Sequence, residues 1–137
     1  MRDIRKIVVH CTASPDSLDI GVREVRDWHL ERGWSDIGYH WLIRRNGKVE
    51  AGRSEEIKGA HVRGHNSDSI GIVWVGEKQI DPRQTKALLS LLRRLMDTHD
   101  VAVDNVFGHY EFDDNKTCPN LDMNWLRAEL LFTKGDK

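Results

Sequence analysis

Two short segments with apolar centres constrain the fold of this chain more than any other feature. They are residues 4–10 (IRKIVVH) and residues 69–75 (SIGIVWV). Both are rich in β-branched side chains and too short for an ordinary helix, which predicts a buried strand at each place. The segments around these two strands therefore decide the fold class.

The segments between and after the two predicted strands have apolar residues at helical spacing. Residues 22–32 carry apolar positions at helical spacing, and Gly33 supplies a stop. Asp81 and Pro82 are typical of an N-cap followed by proline at the first helical position, with Gln84 as a capping partner. The predicted apolar faces are Val22, Val25, Trp28 and His29 in the first helix, Ala87, Leu88, Leu91, Leu92, Leu95 and Met96 in the second, and Trp125, Leu126, Leu130 and Leu131 in a C-terminal helix.

Further strand candidates and one turn complete the pattern. Residues 39–45 and residues 105–110 predict strands. Asn46 followed by Gly47 is a strong hairpin signal that leads into residues 48–51. Because strands alternate with helices, we expect an α/β fold: a single domain with a central mixed β-sheet flanked by helices.

Size and composition limit the class of protein. The chain has 137 residues without an internal repeat or linker, which predicts one domain over residues 1–137 that ends in a polar tail at residues 133–137. Lys and Arg total 21 against 22 Asp and Glu, so there is no reason to expect a nucleic-acid partner. The apolar stretches are too short for membrane insertion, and the N-terminus has no signal-peptide core, so we expect a cytoplasmic protein on synthesis.

Three residues form a candidate metal site: His10, His109 and Cys118. Each lies at the end of a predicted strand or in the loop that follows one. Neutral imidazole and thiolate are good zinc ligands, and three protein ligands with an open fourth position are typical of catalytic zinc sites. The set is therefore a hypothesis for a site that holds one zinc ion.

Spacing alone leaves another interpretation open. No HExxH or paired CxxC motif is present, and seven histidines make a chance triple easy to find. His10 and His109 would then be ordinary strand-end histidines, and Cys118 a buried thiol. Cys11 follows His10 and points to the opposite face of an extended chain, so we expect it in the core if His10 is a ligand. A disulfide between Cys11 and Cys118 is the alternative, which a cytoplasmic location disfavours.

Five groups of residues, spread along nearly the whole chain, follow one another in a recognisable order. They are VVHCTAS (8–14), VREVRDWHLERGWSDIGYHWLI (22–43), RNGKVEAGR (45–53), GAHVRGHNSDSIGIVWVG (59–76), and GHYEF (108–112) with KTCPN (116–120). Together they resemble the type 2 family of N-acetylmuramoyl-L-alanine amidases. That family includes amidase-type phage lysozymes and the animal peptidoglycan recognition proteins.

The resemblance implies a zinc site in a surface groove, with roles for seven residues. The implied zinc ligands are His10, His109 and Cys118, the implied catalytic residues are Tyr39 and Lys116, and the implied substrate-binding residues are His61 and Asn66. His29, His40, His65 and His99 are expected to have ordinary structural roles. No glutamate base of the metalloprotease kind is evident, although Glu111 or an aspartate near it could serve.

The resemblance also implies an activity and a setting. The reaction is zinc-dependent hydrolysis of the amide between the N-acetylmuramoyl lactyl group and L-alanine in bacterial peptidoglycan. We expect a monomeric phage or prophage endolysin that reaches the wall once the inner membrane is breached. Two alternatives stay open: a recognition module that binds muropeptides without cutting them, and an added regulatory role through a protein partner such as a polymerase.

Overall fold

A five-stranded mixed sheet forms the centre of the protein, in a computed structural model that describes residues 2–132. Its strands are β1 (Lys6–Cys11), β2 (Trp41–Ile43), β3 (Val49–Ala51), β4 (Ser69–Trp74) and β5 (Val106–Gly108). They lie in the order β3-β2-β4-β1-β5. The polar tail predicted at residues 133–137 lies outside the described residues.

Parallel pairing brings most strand ends to one edge of this sheet. β4 and β5 both pair in parallel with β1, and β2 pairs in parallel with β4. Only β3 runs antiparallel, as the second strand of a hairpin with β2. The carboxyl ends of β1, β2, β4 and β5 therefore share one edge, which is where ligands bind in open α/β sheets.

Three helices cover the two faces of the sheet: α1 (Val22–Glu31), α2 (Pro82–His99) and α3 (Met123–Phe132). On one face, Ile72 and Trp74 of β4 pack with the apolar side chains of α2 and α3. On the other face, Val73 and Val75 pack with those of α1. The predicted α/β fold, with a central mixed sheet flanked by helices, is confirmed.

The side chains of β1 point alternately to the two faces of the sheet. Ile7, Val9 and Cys11 belong to the core beneath α2 and α3. Val8 and His10 therefore face the α1 side, because neighbouring strand residues point to opposite faces. Cys11 is 5% exposed, so its predicted core position is confirmed, and both cysteines are free thiols.

The predicted helix faces are correct for α2 but only partly correct for the other two helices. In α2, Leu88, Leu91, Leu92 and Leu95 are buried as predicted. Trp28 of α1 is 38% exposed, because the buried stripe of that helix runs through Val22, Val25 and His29. Trp125 and Leu131 of α3 are also exposed, since Met123, Leu126 and Leu130 form its buried stripe. An apolar residue at the margin of a stripe is thus left at the surface.

The predicted cap of α2 also fastens that helix to the sheet. Asp81 Oδ1 accepts a hydrogen bond from Arg83 N (2.8 Å), and Gln84 Oε1 accepts one from Asp81 N (3.0 Å). Gln84 is fully buried, and its Nε2 donates to the carbonyl oxygens of Ile43 and Val75. One side chain therefore satisfies both a helix end and two strand ends.

The edge strands are shorter than predicted. β5 is limited by 3-10 turns at Val103–Asn105 and His109–Glu111. Glu111 Oε1 accepts a hydrogen bond from Gly108 N (2.9 Å), which closes the second turn at the point where the strand ends. Within residues 2–132, no helix is both long enough and apolar enough to cross a membrane.

His40 is a buried histidine that joins β4 to the loop between β3 and β4. Its Nδ1 accepts from Gly71 N (3.0 Å), and its Nε2 donates to the Ile57 carbonyl oxygen (2.8 Å). Burial, aided by the charge of Arg2, lowers the pKa of His40 from 6.5 to about 4. The side chain is therefore neutral in the folded protein at pH 7.

We expect acid to destabilise the metal-free protein through His40. The unfolded chain binds this proton as the pH falls below 6.5, whereas the native chain binds it only near pH 4. The free energy of unfolding should lose about 3 kcal/mol from His40 between those values and no more below them. Urea unfolding at pH 7, 6, 5 and 4 measures the loss. His40→Asn should show a shallower decline, and equal declines for the two proteins would contradict this role.

Candidate metal centre and active site

The three predicted ligands come together at the carboxyl edge of the sheet. His10 is the penultimate residue of β1, and His109 directly follows β5. Because β1 and β5 pair in parallel, with Val9 opposite Gly108, the two histidines leave neighbouring strands side by side. Cys118 reaches the same place from the loop before α3.

The distances between these ligands suit a metal ion. One donor atom from each of His10, His109 and Cys118 lies within 4.8 Å of the other two. The Nδ1 atoms of the two histidines are 3.2 Å apart. Two nitrogens bound at the usual zinc distance in a tetrahedral site would be separated by about 3.3 Å. Cys118 Sγ also accepts a hydrogen bond from Cys11 N (3.0 Å), which favours a negatively charged sulfur.

A chain of hydrogen bonds lies behind His10. His10 Nε2 is 2.9 Å from His61 Nδ1, and His61 Nε2 is 3.1 Å from Ser69 Oγ. All three residues are buried. His10 Nε2 therefore has a hydrogen-bond partner in the protein, and His10 Nδ1 is directed at the other predicted ligands.

The electrostatics of the site keep the two ligand histidines neutral. Burial, with His61 and His109 nearby, lowers the pKa of His10 well below its usual value. Burial and the charge of Lys116 lower the pKa of His109, while Asp113 opposes them. For Cys118, the side-chain hydrogen bond with the Cys11 thiol and burial raise the pKa, and they outweigh the hydrogen bond from Cys11 N, which lowers it. Neutral imidazoles are the form that binds a metal ion, whereas this thiol must lose its proton to do so.

Tyr39 stands beside the predicted ligand His10, in the segment between α1 and β2. Its ring centroid is 5.1 Å from that of His10 and 5.6 Å from that of His29. Burial, followed by the nearby Cys118 sulfur, raises the pKa of Tyr39, so the hydroxyl stays protonated. Within residues 2–132 this hydroxyl has no hydrogen-bond partner and can donate to a bound molecule.

An open cavity of about 340 Å³ borders the site. It is lined by Trp34, Ala60, His61, Val62, Arg63, Asn66, His109, Asp113 and Lys116. Four residues predicted from the sequence therefore share one cavity: His61, Asn66, His109 and Lys116. Of the other three, His10 and Cys118 each place a donor atom within 4.8 Å of one on His109, and Tyr39 packs against His10. The structure thus brings together all the predicted site residues.

Asn66 holds the loop of the cavity in place. Its Oδ1 accepts hydrogen bonds from the backbone nitrogens of His61 (3.0 Å) and Val62 (2.9 Å). In the described part of the chain, its amide nitrogen has no such partner. The Oδ1 atom of Asn66 therefore holds the loop, while its Nδ2 atom is available to donate a hydrogen bond.

Four cavity residues were not predicted from the sequence: Trp34, Ala60, Val62 and Arg63. Arg63 stands two residues from His61 in the quoted AHVRGHN segment, which is the signal that could have identified it. Nothing in the sequence distinguished Trp34 from the other four tryptophans. Trp34 reaches the cavity because it packs against the buried His29, with ring centroids 4.4 Å apart.

Glu111, suggested as a base, has a structural role instead. Its carboxylate accepts two hydrogen bonds from Arg127, at 3.0 and 3.1 Å, besides the one from Gly108 N. Partial burial raises the pKa of Glu111, but Arg127 and the Gly108 amide outweigh that effect and lower it. Of the neighbouring aspartates, Asp113 lines the cavity.

The remaining histidines have the structural roles expected of them. His29 is buried, and its Nδ1 accepts from Gly38 N (2.9 Å). His40 bonds the backbone as described above. His65 stacks on Phe112, and His99 pairs with Glu55 at 2.7 Å.

Comparison with known proteins identifies the family. Residues 1–121 match the family model described as N-acetylmuramoyl-L-alanine amidase, so the chain belongs to that family. The endolysin of Enterobacteria phage K11 is 40% identical over 141 residues, which cover 96% of this chain and 91% of the endolysin.

Solved structures agree with this assignment. The amidase LysC from Clostridium intestinale superposes with a TM-score of 0.86 at 30% identity, over 95% of this chain and 87% of LysC. Drosophila PGRP-LB superposes with a TM-score of 0.77 at 26% identity, over 99% of this chain and 83% of that protein. The chain is thus an N-acetylmuramoyl-L-alanine amidase, an enzyme that hydrolyses an amide bond of peptidoglycan.

We expect opposite effects on His109 when the two charged residues beside it are neutralised. Lys116→Met removes a positive charge and should raise the pKa of His109, whereas Asp113→Asn should lower it further. NMR titration of the His109 ring protons in the metal-free protein measures both shifts. Shifts of the same sign, or none, would mean that neither charge acts on His109 across the cavity.

Proposed function

We propose that this chain is a zinc-dependent endolysin of phage or prophage origin. Its reaction is hydrolysis of the amide between the lactyl group of N-acetylmuramic acid and L-alanine in bacterial peptidoglycan. The convergence of His10, His109 and Cys118 beside an open cavity is the observation that carries this proposal. The K11 endolysin, similar over 96% of this chain, supports it.

The donor set fits a single zinc ion held by His10 Nδ1, His109 Nδ1 and Cys118 Sγ. Two nitrogens and one sulfur, already close together, match the ligand types zinc prefers. When bound, zinc polarises a carbonyl oxygen as a Lewis acid and lowers the pKa of water to about 7. The amide carbonyl is resonance-stabilised, so both effects act on the difficult part of the reaction.

Tyr39 and Lys116 act on the negative charge that develops as the carbonyl carbon becomes tetrahedral. The Tyr39 hydroxyl keeps its proton and has no competing partner among residues 2–132, so it can donate a hydrogen bond to the oxyanion. Lys116 adds a positive charge on the same cavity. Its influence already reaches His109, whose pKa it lowers.

The cavity provides the surface on which the muropeptide lies. Asn66 offers its amide nitrogen to a substrate carbonyl while its oxygen holds the loop. Trp34 offers an apolar side chain that is 36% exposed, and Arg63 adds a second cation. These groups suit a substrate that combines sugar rings with an acidic peptide.

A recognition module that binds muropeptides without cutting them is the alternative. A complete ligand set, a protonated tyrosine and a lysine beside the cavity favour an enzyme over such a module. We propose further that residues 1–137 form one catalytic domain that works as a monomer on the cell wall after the inner membrane is breached. A regulatory protein partner, such as a polymerase, stays a prediction.

Digestion of purified peptidoglycan tests the reaction and the metal together. We expect new alanine amino termini without new reducing sugar ends, because an amide bond and not a glycosidic bond is cut. A zinc chelator should abolish the products, and added zinc should restore them. Cys118→Ser should keep muropeptide binding but lose turnover. Reducing ends would show that the sugar backbone is cut, and products that resist chelation would exclude the zinc proposal.

Removing either charge-stabilising group should reduce turnover without releasing zinc. Loss of one oxyanion donor typically costs ~100- to 1000-fold in turnover. Tyr39→Phe and Lys116→Ala should show losses of that size in the muropeptide assay, with one zinc per chain by elemental analysis. Tyr110→Phe and Lys48→Ala are matched controls, since Tyr110 packs beside α3 and Lys48 is exposed on the hairpin. Full turnover in either test variant would remove that residue from the mechanism.

A further inference from the structure

His61 has both ring nitrogens occupied by buried protein atoms, although its edge lines the cavity. Nδ1 lies 2.9 Å from His10 Nε2, and Nε2 lies 3.1 Å from Ser69 Oγ. The residue is 8% exposed, and Ser69 is fully buried. No ring nitrogen therefore remains for a hydrogen bond to a bound muropeptide.

The position of the His61 ring is set by two glycines. A Cβ atom on Gly71 would lie 2.7 Å from the ring carbons Cγ and Cδ2, and a Cβ on Gly59 would also lie 2.7 Å from Cδ2. Both distances are well below van der Waals contact. Glycine at both positions therefore leaves the room that the His61 ring occupies.

The proton on His10 decides which atoms donate and which accept in the hydrogen-bonded series His10, His61 and Ser69. A neutral imidazole donates through one nitrogen and accepts through the other. If His10 directs the lone pair of Nδ1 towards His109 and Cys118, its Nε2 carries the proton and donates to His61 Nδ1. His61 must then carry its own proton on Nε2 and donate to Ser69 Oγ. Each group in the chain fixes the orientation of the one before it.

We propose that His61 is a positioning residue that holds the metal ligand His10 in its binding tautomer, and that it does not bind substrate directly. This inference rests on the proposed zinc site. Partners of this kind orient the ligand ring and raise its basicity, and their loss typically weakens metal affinity ~10- to 100-fold. Ser69 supports His61 in the same way, one step further from the metal.

Two substitutions of His61 distinguish loss of its hydrogen bond to His10 from a mere change of side-chain size. His61→Leu removes the acceptor for His10, whereas His61→Asn can return an oxygen near the place of Nδ1. His99→Asn is the control, because His99 pairs with Glu55 and with no metal ligand among residues 2–132. Ser69→Ala is a smaller change that removes the hydrogen-bond partner of His61 Nε2. It tests the inference if a His61 variant fails to fold.

Zinc affinity, measured by competition with a chromogenic chelator, is the first readout. We expect His61→Leu to bind zinc ~10- to 100-fold more weakly, His61→Asn to recover most of that loss, and Ser69→Ala to show a smaller loss. His99→Asn should bind zinc like the wild type even if its melting temperature falls. Wild-type zinc affinity in His61→Leu would overturn the inference.

The second readout is kinetic, at saturating zinc. A positioning residue predicts that KM for a muropeptide changes little in His61→Asn. A raised KM with unchanged zinc affinity would instead make His61 a substrate contact and overturn the inference. The third readout is ¹⁵N NMR of the zinc-loaded protein, which should find His61 protonated on Nε2. A proton on Nδ1 would also overturn it. If the wild type binds no zinc at all, the proposed zinc dependence fails first.

Discussion

Parallel pairing of β1 with β4 and β5 is the constraint on which the rest of the structure depends. It brings His10 and His109 to the same edge from neighbouring strands, with their Nδ1 atoms 3.2 Å apart. The alternation of β1 then decides which side chain reaches the site. A register slip of one residue would turn His10 into the core beneath α2 and α3 and send Cys11 to the cavity side. The metal site is therefore a consequence of strand register as much as of residue identity.

A layer of buried, neutral histidines supports the site. His10, His29, His40 and His61 are all nearly inaccessible to solvent, and each has a hydrogen-bond partner in the protein. Burial lowers the pKa of each, to about 4 for His29 and His40 and to about 3 for His61. This layer stays uncharged at neutral pH, so it holds its partners without the cost of burying a cation. It also makes the site a place where acid weakens the fold.

The buried residues of the site lie on or against the central strands, and its exposed residues lie on loops. The ligand His10 and its partners His61 and Ser69 lie on or against the central strands, where close packing allows little movement. Lys116, Arg63 and Asn66 lie on loops around the cavity and are at least partly exposed. The two groups meet at His109, which belongs to the candidate metal site and also lines the cavity.

The sequence by itself determined the order of the elements, the two central strands, the Asn46 and Gly47 turn and the cap of α2, since each depends on local pattern. The ordered motifs also indicated the family and the identity of the site residues. Only the tertiary structure decided that Trp28, Trp125 and Leu131 are exposed, that Glu111 pairs with Arg127, and that His61 bonds His10. Those outcomes depend on contacts between residues far apart in the chain, such as positions 10 and 61. Local pattern carries no information about which distant groups the parallel sheet brings within hydrogen-bonding distance.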